Sequence, residues 1–421
     1  AAVLGPITKT NSTLSSDDPG REIDGLIQTM MQAPMGPAFV ELTGAEAKRS
    51  VTSSIPAGIS KPEQKLGDLV AAQDLVKRAR RPVIVAGLEA ATEANSASVR
   101  HLAEVLGAPT LVTYMAKGVI PDGHDNFAGI FTGGKAEYPC VSQADLIILA
   151  GLDPVELIRK PWAYKVPVLD IAETRHDKHY LTPDQGLYGP ISASIDKLAD
   201  LSARSHWTNG DIAHHRAAFF DAMAFPERPS ITPVAVVKAA VVAFAGPDAS
   251  TAAPRLAVDA GAHMFSAVAF WPAQAPRDVL ISNGLATMAF ALPAAIAAAL
   301  HDPGRGAVAM TGDGGLMMCL GELVTAVQQQ ANITVIVFND GALSLIDIKR
   351  QEMQLPDLGF TWPRPNFAAM AQGLGLRAWQ AKTAEDLEHA LTEAAAADGP
   401  CLIDVVLDPD GYLEQMRSLR G

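Results

Sequence analysis

Two aspartates set among glycines are the residues of this chain best suited to chemistry. The run Val308-Ala309-Met310-Thr311 leads into Gly312-Asp313-Gly314-Gly315, and Val335-Ile336-Val337-Phe338 leads into Asn339-Asp340-Gly341. Glycine has no Cβ, so backbone at such a turn can approach a ligand closely. A helix expected to begin near Leu316 would aim its free N–H groups at the same place, which suits an anion. Two carboxylates brought together there would repel strongly. A hard divalent cation relieves that repulsion, and Mg²⁺ commonly takes one or two carboxylates together with phosphate oxygens. The residues therefore fit a magnesium–diphosphate site, although a surface turn with two unrelated aspartates uses the same residue types.

Strands must position such a pair. Val308–Met310 and Ile333–Phe338 read as parallel strands joined by the helix Leu316–Gln330. Asp313 and Asp340 then share the carboxyl edge of the sheet, where open α/β sheets bind ligands. Leu256–Val258, Asp278–Ile281 and Cys401–Val406 read as further strands of the same unit, with helices at Ala289–Leu300 and Ala384–Ala396. Upstream, Pro82–Ala86, Thr110–Thr113, Leu146–Ala150 and Val166–Ile171 also alternate with helical stretches. That alternation predicts βαβ units. The expected fold class is α/β, with two doubly wound parallel-sheet domains: a central one over 66–202 and a C-terminal, diphosphate-binding one over 233–421.

Residues 1–50 supply only one helix, Asp18–Gln32, and one strand, Ala38–Leu42, too little for a core of their own. They read as the tail of a third domain. The polar stretch 50–65, with Pro56 and Pro62, reads as a linker. So does Ala203–Thr232, whose His206, His214 and His215 have no Cys or carboxylate at ligand spacing.

Composition narrows the partners. The chain has 421 residues, 48% hydrophobic and 19% charged, with a net charge of −13. That is the balance of a globular protein with more than one domain. Without a basic tract it does not suit nucleic acid. Its apolar runs, Val234–Gly246 and Met288–Leu300, contain Lys238 and Pro293 and fall short of the roughly 20 residues that span a bilayer. Ala1–Thr10 has no basic region followed by an apolar stretch, so no signal peptide is read. Cys140, Cys319 and Cys401 form neither a metal-spaced pair nor a disulfide framework, which predicts a reducing cytoplasm.

Gly312-Asp313-Gly314, then 24 residues (315–338), then Asn339-Asp340, resembles the thiamine-diphosphate motif that runs from GDG to a pair of asparagines. Ser282-Asn283-Gly284-Leu285-Ala286-Thr287-Met288-Ala289-Phe290-Ala291-Leu292-Pro293 resembles the acetolactate synthase stretch SGGLGTMGFGLPAA. Asp259-Ala260-Gly261-Ala262-His263 resembles the family's VGQH-type turn, with Ala262 in place of Gln. The resemblance implies that Asp313, the side chain of Asp340 and the carbonyl of Ala342 bind Mg²⁺. Gly312, Gly314, Gly315, Gly261 (through its backbone) and His263 would line the diphosphate. Met288 would support the bent cofactor, and the Ala286 carbonyl would accept from its 4′-amino group. Asp340 stands where many members have Asn.

Lys117-Gly118-Val119-Ile120-Pro121-Asp122 with Gly129-Ile130 resembles a central-domain stretch of the same family, where some members hold FAD as a structural cofactor. Val85-Ala86-Gly87-Leu88 lacks the GxGxxG series, so FAD is not supported by these residues. The implied activity is thiamine-diphosphate- and Mg²⁺-dependent C–C bond chemistry on a 2-oxo acid. Six positions beyond Asp340, where pyruvate decarboxylases carry a glutamate, stands Ile346, closer to the carboligating synthases. A simple decarboxylase or C–C hydrolase, or a non-catalytic binding homologue, are the alternatives. Lys349 and Arg350 suit a substrate carboxylate or a solvated helix face.

The resemblance begins inside the family's first domain, so the body of the pyrimidine-binding portion and its activating glutamate are expected outside this chain. Glu322, on a helix leading away from the turn, reads as structural rather than as a substitute. The family's active sites lie between subunits, which implies a homodimer or homotetramer of complete protomers.

Overall fold

The computed structural model describes residues 3–51, 67–158, 160–178, 180–200, 203–225, 228–245, 253–357 and 359–421. Most of the stretch read as the first linker therefore lies outside the described residues. Among these residues, no helix is long and apolar enough to cross a membrane.

The first segment is a small βαβ unit. Strands β1 (Thr10–Thr13) and β2 (Ala38–Glu41) pair in parallel, Thr10 opposite Ala38, across the helix Pro19–Met31. Asp18 caps that helix by accepting the N–H of Arg21. β1, with the sequence Thr-Asn-Ser-Thr, carries no apolar alternation, and the sequence pattern misses it.

The central sheet has the order β5-β4-β3-β6-β7-β8, all parallel. Its strands are β3 (Pro82–Ala86), β4 (Thr110–Val112), β5 (Phe127–Ile130), β6 (Leu146–Ala150), β7 (Val168–Ala172) and β8 (Gln185–Tyr188). β3, β6 and β7 are buried throughout, as strands covered on both faces must be.

The stretch 203–232 corrects the sequence reading. It is no solvated linker but holds the helix Asn209–Ala222, opened by a capping box between Thr208 and Asp211. Phe219 of this helix is buried against β5, where a side chain at Gly129 would strike its ring. Trp207 is buried and donates its indole N–H to Pro82 O at 2.9 Å, and His215 lies edge-on to the Trp207 ring. Short polar segments hid the apolar anchors, whose partners at Gly129 and Pro82 lie far back in the sequence.

The third sheet has the order β10-β9-β11-β12-β14-β13, again all parallel. It comprises β9 (Arg255–Val258), β10 (Val279–Ile281), β11 (Ala307–Gly312), β12 (Ile333–Asn339), β13 (Arg377–Ala381) and β14 (Cys401–Val406). Strand order reverses direction between β9 and β11, which opens a crevice at their carboxyl ends. The central and third units touch through the Lys117–Asp122 segment. Asp122 exchanges backbone and side-chain hydrogen bonds with Ala273, and buried Lys117 pairs with Asp122 at 2.6 Å.

Candidate cofactor site

Three loops at the carboxyl edge of the third sheet enclose one cleft with a cavity volume of about 210 Å³. Its walls include Gly261 and His263 after β9, Gly312, Asp313, Gly314 and Gly315 after β11, and Asp340, Ala342 and Ile346 after β12. Ala286 and Met288 approach from the loop before the helix Ala291–His301. Every site residue expected from the sequence thus faces a single space.

The glycine turn is tighter than expected. The helix after β11 starts at Asp313, not near Leu316, and runs Asp313–Cys319. Gly314 and Gly315 therefore lie in its first turn. A Cβ on Gly315 would strike the Asp259 carboxylate and sit 2.7 Å from Thr311 Oγ1, while one on Gly314 would meet Leu343 at 2.7 Å. Met288 reaches over from the opposite loop, its Cε 3.5 Å from that same point.

Asp259 is the hidden organiser of the cleft. Buried at the end of β9, it accepts the N–H groups of Ala289, Phe290 and Ala291 at 3.2, 2.7 and 2.6 Å, and the Thr311 hydroxyl at 2.6 Å. It thereby fixes the loop carrying Met288 to the strand carrying the glycine turn. That loop needs fixing, because Ala286 and Ala289 hold φ of 48° and 62°, a region unfavourable to residues with a Cβ. No residue pattern signals Asp259's part beyond its place in the turn.

The two aspartates are held differently. Asp313 Oδ1 accepts Gly314 N–H at 2.7 Å and Oδ2 accepts Gly341 N–H at 2.8 Å. Asp340 accepts Ala342 N–H at 3.1 Å and the Ser344 hydroxyl at 2.7 Å. Burial raises the pKa of Asp313, against the pull of the Gly314 and Gly341 N–H groups. Burial also pushes Asp340 up to about 7; the Ser344 hydroxyl opposes this and the Asp313 charge adds to it. Neighbouring carboxylates, one buried and one half-buried, with no cationic side chain hydrogen-bonded to them among the described residues, suit a counter-charge from a ligand.

Asn339, the other member of the Asn-Asp pair, turns away from the cleft. Its amide donates to Pro365 O and to Asp404 Oδ1, each at 2.8 Å, anchoring β12 to β14. His263 lies against Phe338, its ring centroid 5.2 Å away, and burial lowers its pKa to about 4. Its Nε2 is buried with no hydrogen-bond partner. Tyr412, which the sequence reading passed over, completes the wall from the helix Tyr412–Arg420. Lys349 and Arg350 pair locally with Glu352 and Asp347, and Glu322 is exposed and bonded to Thr325.

A second polar group lies in the central sheet. Glu89, Asp153 and His176 follow β3, β6 and β7, with ligand atoms all within 4.8 Å of one another. The Glu89–His176 pair, at 2.7 Å, satisfies itself. Glu156 adds a third carboxylate to this crevice by accepting Leu88 N–H at 2.8 Å and the Thr113 hydroxyl.

Residues 259–405 match the thiamine pyrophosphate enzyme C-terminal TPP binding domain, and residues 69–198 match the thiamine pyrophosphate enzyme central domain. The chain belongs to the thiamine pyrophosphate enzyme family. It is 28% identical over 434 residues to the catabolic acetolactate synthase of Raoultella terrigena, covering 97% of this chain and 75% of that protein. It is 30% identical over 368 residues to the acetolactate synthase isozyme 1 large subunit of Escherichia coli (strain K12), covering 83% and 62%. The chain spans 60% to 75% of the length of the curated relatives it matches. In fold it is similar to the thiamine diphosphate-dependent 4-hydroxybenzoylformate decarboxylase of Rhodococcus jostii RHA1. That match has a TM-score of 0.79 at 19% identity and covers 97% of this chain and 78% of the other. In this family member, then, the glycine turn and both aspartates belong to the TPP binding domain.

Proposed function

We propose that the chain binds thiamine diphosphate through Mg²⁺ and contributes the diphosphate half of a 2-oxo acid enzyme of acetolactate synthase type. The observation that carries this reading is the pair of carboxylates, buried Asp313 and half-buried Asp340, just past the ends of adjacent parallel strands in one cleft. The fit is chemical as well as spatial. The donor set is hard oxygen, which suits Mg²⁺, and His263, whose buried Nε2 has no hydrogen-bond partner among the described residues, lines the same space.

Asp313, Asp340 and the Ala342 carbonyl would hold the metal; Gly312, Gly314, Gly315, Gly261 and His263 would surround the diphosphate. When bound, the thiazolium supplies an electron sink for carbanion chemistry on the substrate. Met288 would then support the rings from below and the Ala286 carbonyl would orient the aminopyrimidine. Ile346 presents no proton to the substrate side, which favours carboligation over protonation of the decarboxylated substrate. Among the described residues lining the cleft there is no glutamate, so the activating carboxylate is assigned to a pyrimidine-binding portion outside it. The assembly proposed is at least a homodimer of complete protomers, with Ile23, Ile27 and Met31 on the exposed side of the helix Pro19–Met31 as surface it would cover. A reducing, cytoplasmic setting accords with three free cysteines.

Calorimetric titration of the chain with thiamine diphosphate should show binding that requires Mg²⁺. Supplying the pyrimidine-binding portion should then give acetolactate from pyruvate, with little free acetaldehyde. Absence of magnesium-dependent binding sinks the site; acetaldehyde as the main product sinks the carboligase assignment alone.

A further inference from the structure

Tyr412 is almost wholly buried, yet its side chain lines the cleft. Its hydroxyl donates to no described residue, whereas most polar groups around it are bonded: Ser344 to Asp340, Thr311 to Asp259, Ser266 to Gln415. A phenol on the wall of a cleft can donate to a ligand that fills it.

The placement is built rather than incidental. Gly411 holds a φ of 113°, and a Cβ there would lie 2.5 Å from the Phe225 ring. Only glycine lets the chain enter the last helix against Phe225, and Tyr412 then packs edge-on to that ring at 5.8 Å. One turn along, Gln415 is fully buried; it donates to Met223 O at 2.7 Å and accepts the Ser266 hydroxyl at 3.0 Å. Ser266 lies one turn beyond His263 on the helix His263–Phe270. The Ser266–Gln415 bond therefore ties together the two helices that present His263 and Tyr412 to the cleft. Tyr412, Asp340 and Asp313 line the same cleft.

We propose that the Tyr412 hydroxyl donates a hydrogen bond to the terminal phosphate of the bound diphosphate, beside His263, and so makes the site select a diphosphate over a monophosphate. The assignment rests on the reading of the cleft as a magnesium–diphosphate site. The phenol keeps its proton at neutral pH, so it can donate to an anion. Asp313 and Asp340 meet the metal from the strand side, while Tyr412 would meet the phosphate from the helix side.

The test uses the whole chain with Mg²⁺ and two probes, thiamine diphosphate and thiamine monophosphate, titrated calorimetrically. Tyr412→Phe keeps the ring and its packing on Phe225 and removes only the hydroxyl. It should weaken thiamine diphosphate binding by about ten- to a hundredfold, the range of a hydrogen bond to a charged group. Monophosphate binding should stay unchanged. The ligand-induced rise in melting temperature, read against each protein's own apo value, supplies a second measure that a change in folding does not move. Equal diphosphate affinity in Tyr412→Phe and the parent overturns the assignment, as does an equal loss for both probes. If the parent itself binds no thiamine diphosphate with Mg²⁺, the reading of the cleft fails, and this assignment fails with it.

Discussion

The carboxylate of Asp313 accepts the backbone N–H of Gly341 at 2.8 Å, so the first aspartate of the cleft holds the turn that carries the second. The two residues are consequently unequal despite their matching places at the ends of β11 and β12. Asp313 braces backbone with both oxygens; Asp340 uses its oxygens for the start of its own loop.

Substitution should expose this asymmetry. Asp313→Ala is expected to lose magnesium-dependent cofactor binding and also about 1–3 kcal/mol of stability, because two N–H groups lose their acceptor. Asp340→Ala should lose binding with the cofactor-free stability within about 1 kcal/mol, since it also relieves a buried charge. Asp340→Asn should retain binding. Urea denaturation beside calorimetry checks all three, and an Asp340→Asn variant that cannot bind would contradict the metal assignment.

Acidity should weaken the metal site. Asp340, pushed up to about 7 by burial, must give up its proton to take a cation. As pH falls from 8 to 6 its protonated fraction rises, and magnesium-dependent affinity should fall with it, by up to about tenfold per pH unit. Titrations in buffers of different ionisation enthalpy should register a released proton at pH 6. In Asp340→Asn this dependence should flatten, and an unchanged slope would place the titration elsewhere.

The loop that carries Met288 holds backbone strain. Ala286 and Ala289 stand at positive φ where the resembling family stretch SGGLGTMGFGLPAA has glycine. Ala286→Gly and Ala289→Gly should each add about 0.5–1 kcal/mol, the left-handed penalty less the entropy of glycine. Denaturant midpoints that fall in both variants would mean the loop relaxes elsewhere.

Glu156 supplies a pH-dependent term in stability. Burial raises it to about 7 from 4.5, so the folded chain holds this proton more tightly than the unfolded one. Its stabilising contribution is complete below pH 4.5, declines as pH rises and is lost above about 7. Glu156→Gln should therefore flatten the stability profile between pH 5 and 8, with a gain of up to about 3 kcal/mol at the upper end. Gln can still accept the Leu88 N–H and can donate to the Thr113 hydroxyl. Parallel melting profiles of the two proteins across that window would rule the effect out.

The legible part of the fold was the part buried on both faces. β3, β6, β11, β12 and β14 are mostly apolar runs, and their hydrophobicity locates them within a residue or two. Four edge strands, β1, β5, β8 and β13, escaped: β1, β8 and β13 carry polar residues such as Thr10, Asn11, Gln185 and Gln380, and β5, though buried, is only the short run Phe-Ala-Gly-Ile. The site was legible where backbone chemistry dictates residue type, at Gly312–Gly315 and Asp340. It was illegible at Asp259 and Tyr412, whose significance comes from long-range contacts: the Asp259 partners lie 30 to 52 residues away. The segment 203–232 was misread for the same reason, since Trp207 finds its partner 125 residues back, at Pro82.

A single carboxylate, Asp259, anchors both the Met288 loop and, through Thr311, the glycine turn. On the proposed reading, one of those elements would lie under the rings of the bound cofactor and the other around its phosphates. The ends are therefore thermodynamically linked: whatever orders the loop also favours the ordered turn, and the coupling is reciprocal. Inorganic diphosphate and a phosphate-free thiamine fragment, each too short to span the cleft, should accordingly assist one another's binding, and Asp259→Asn should uncouple them.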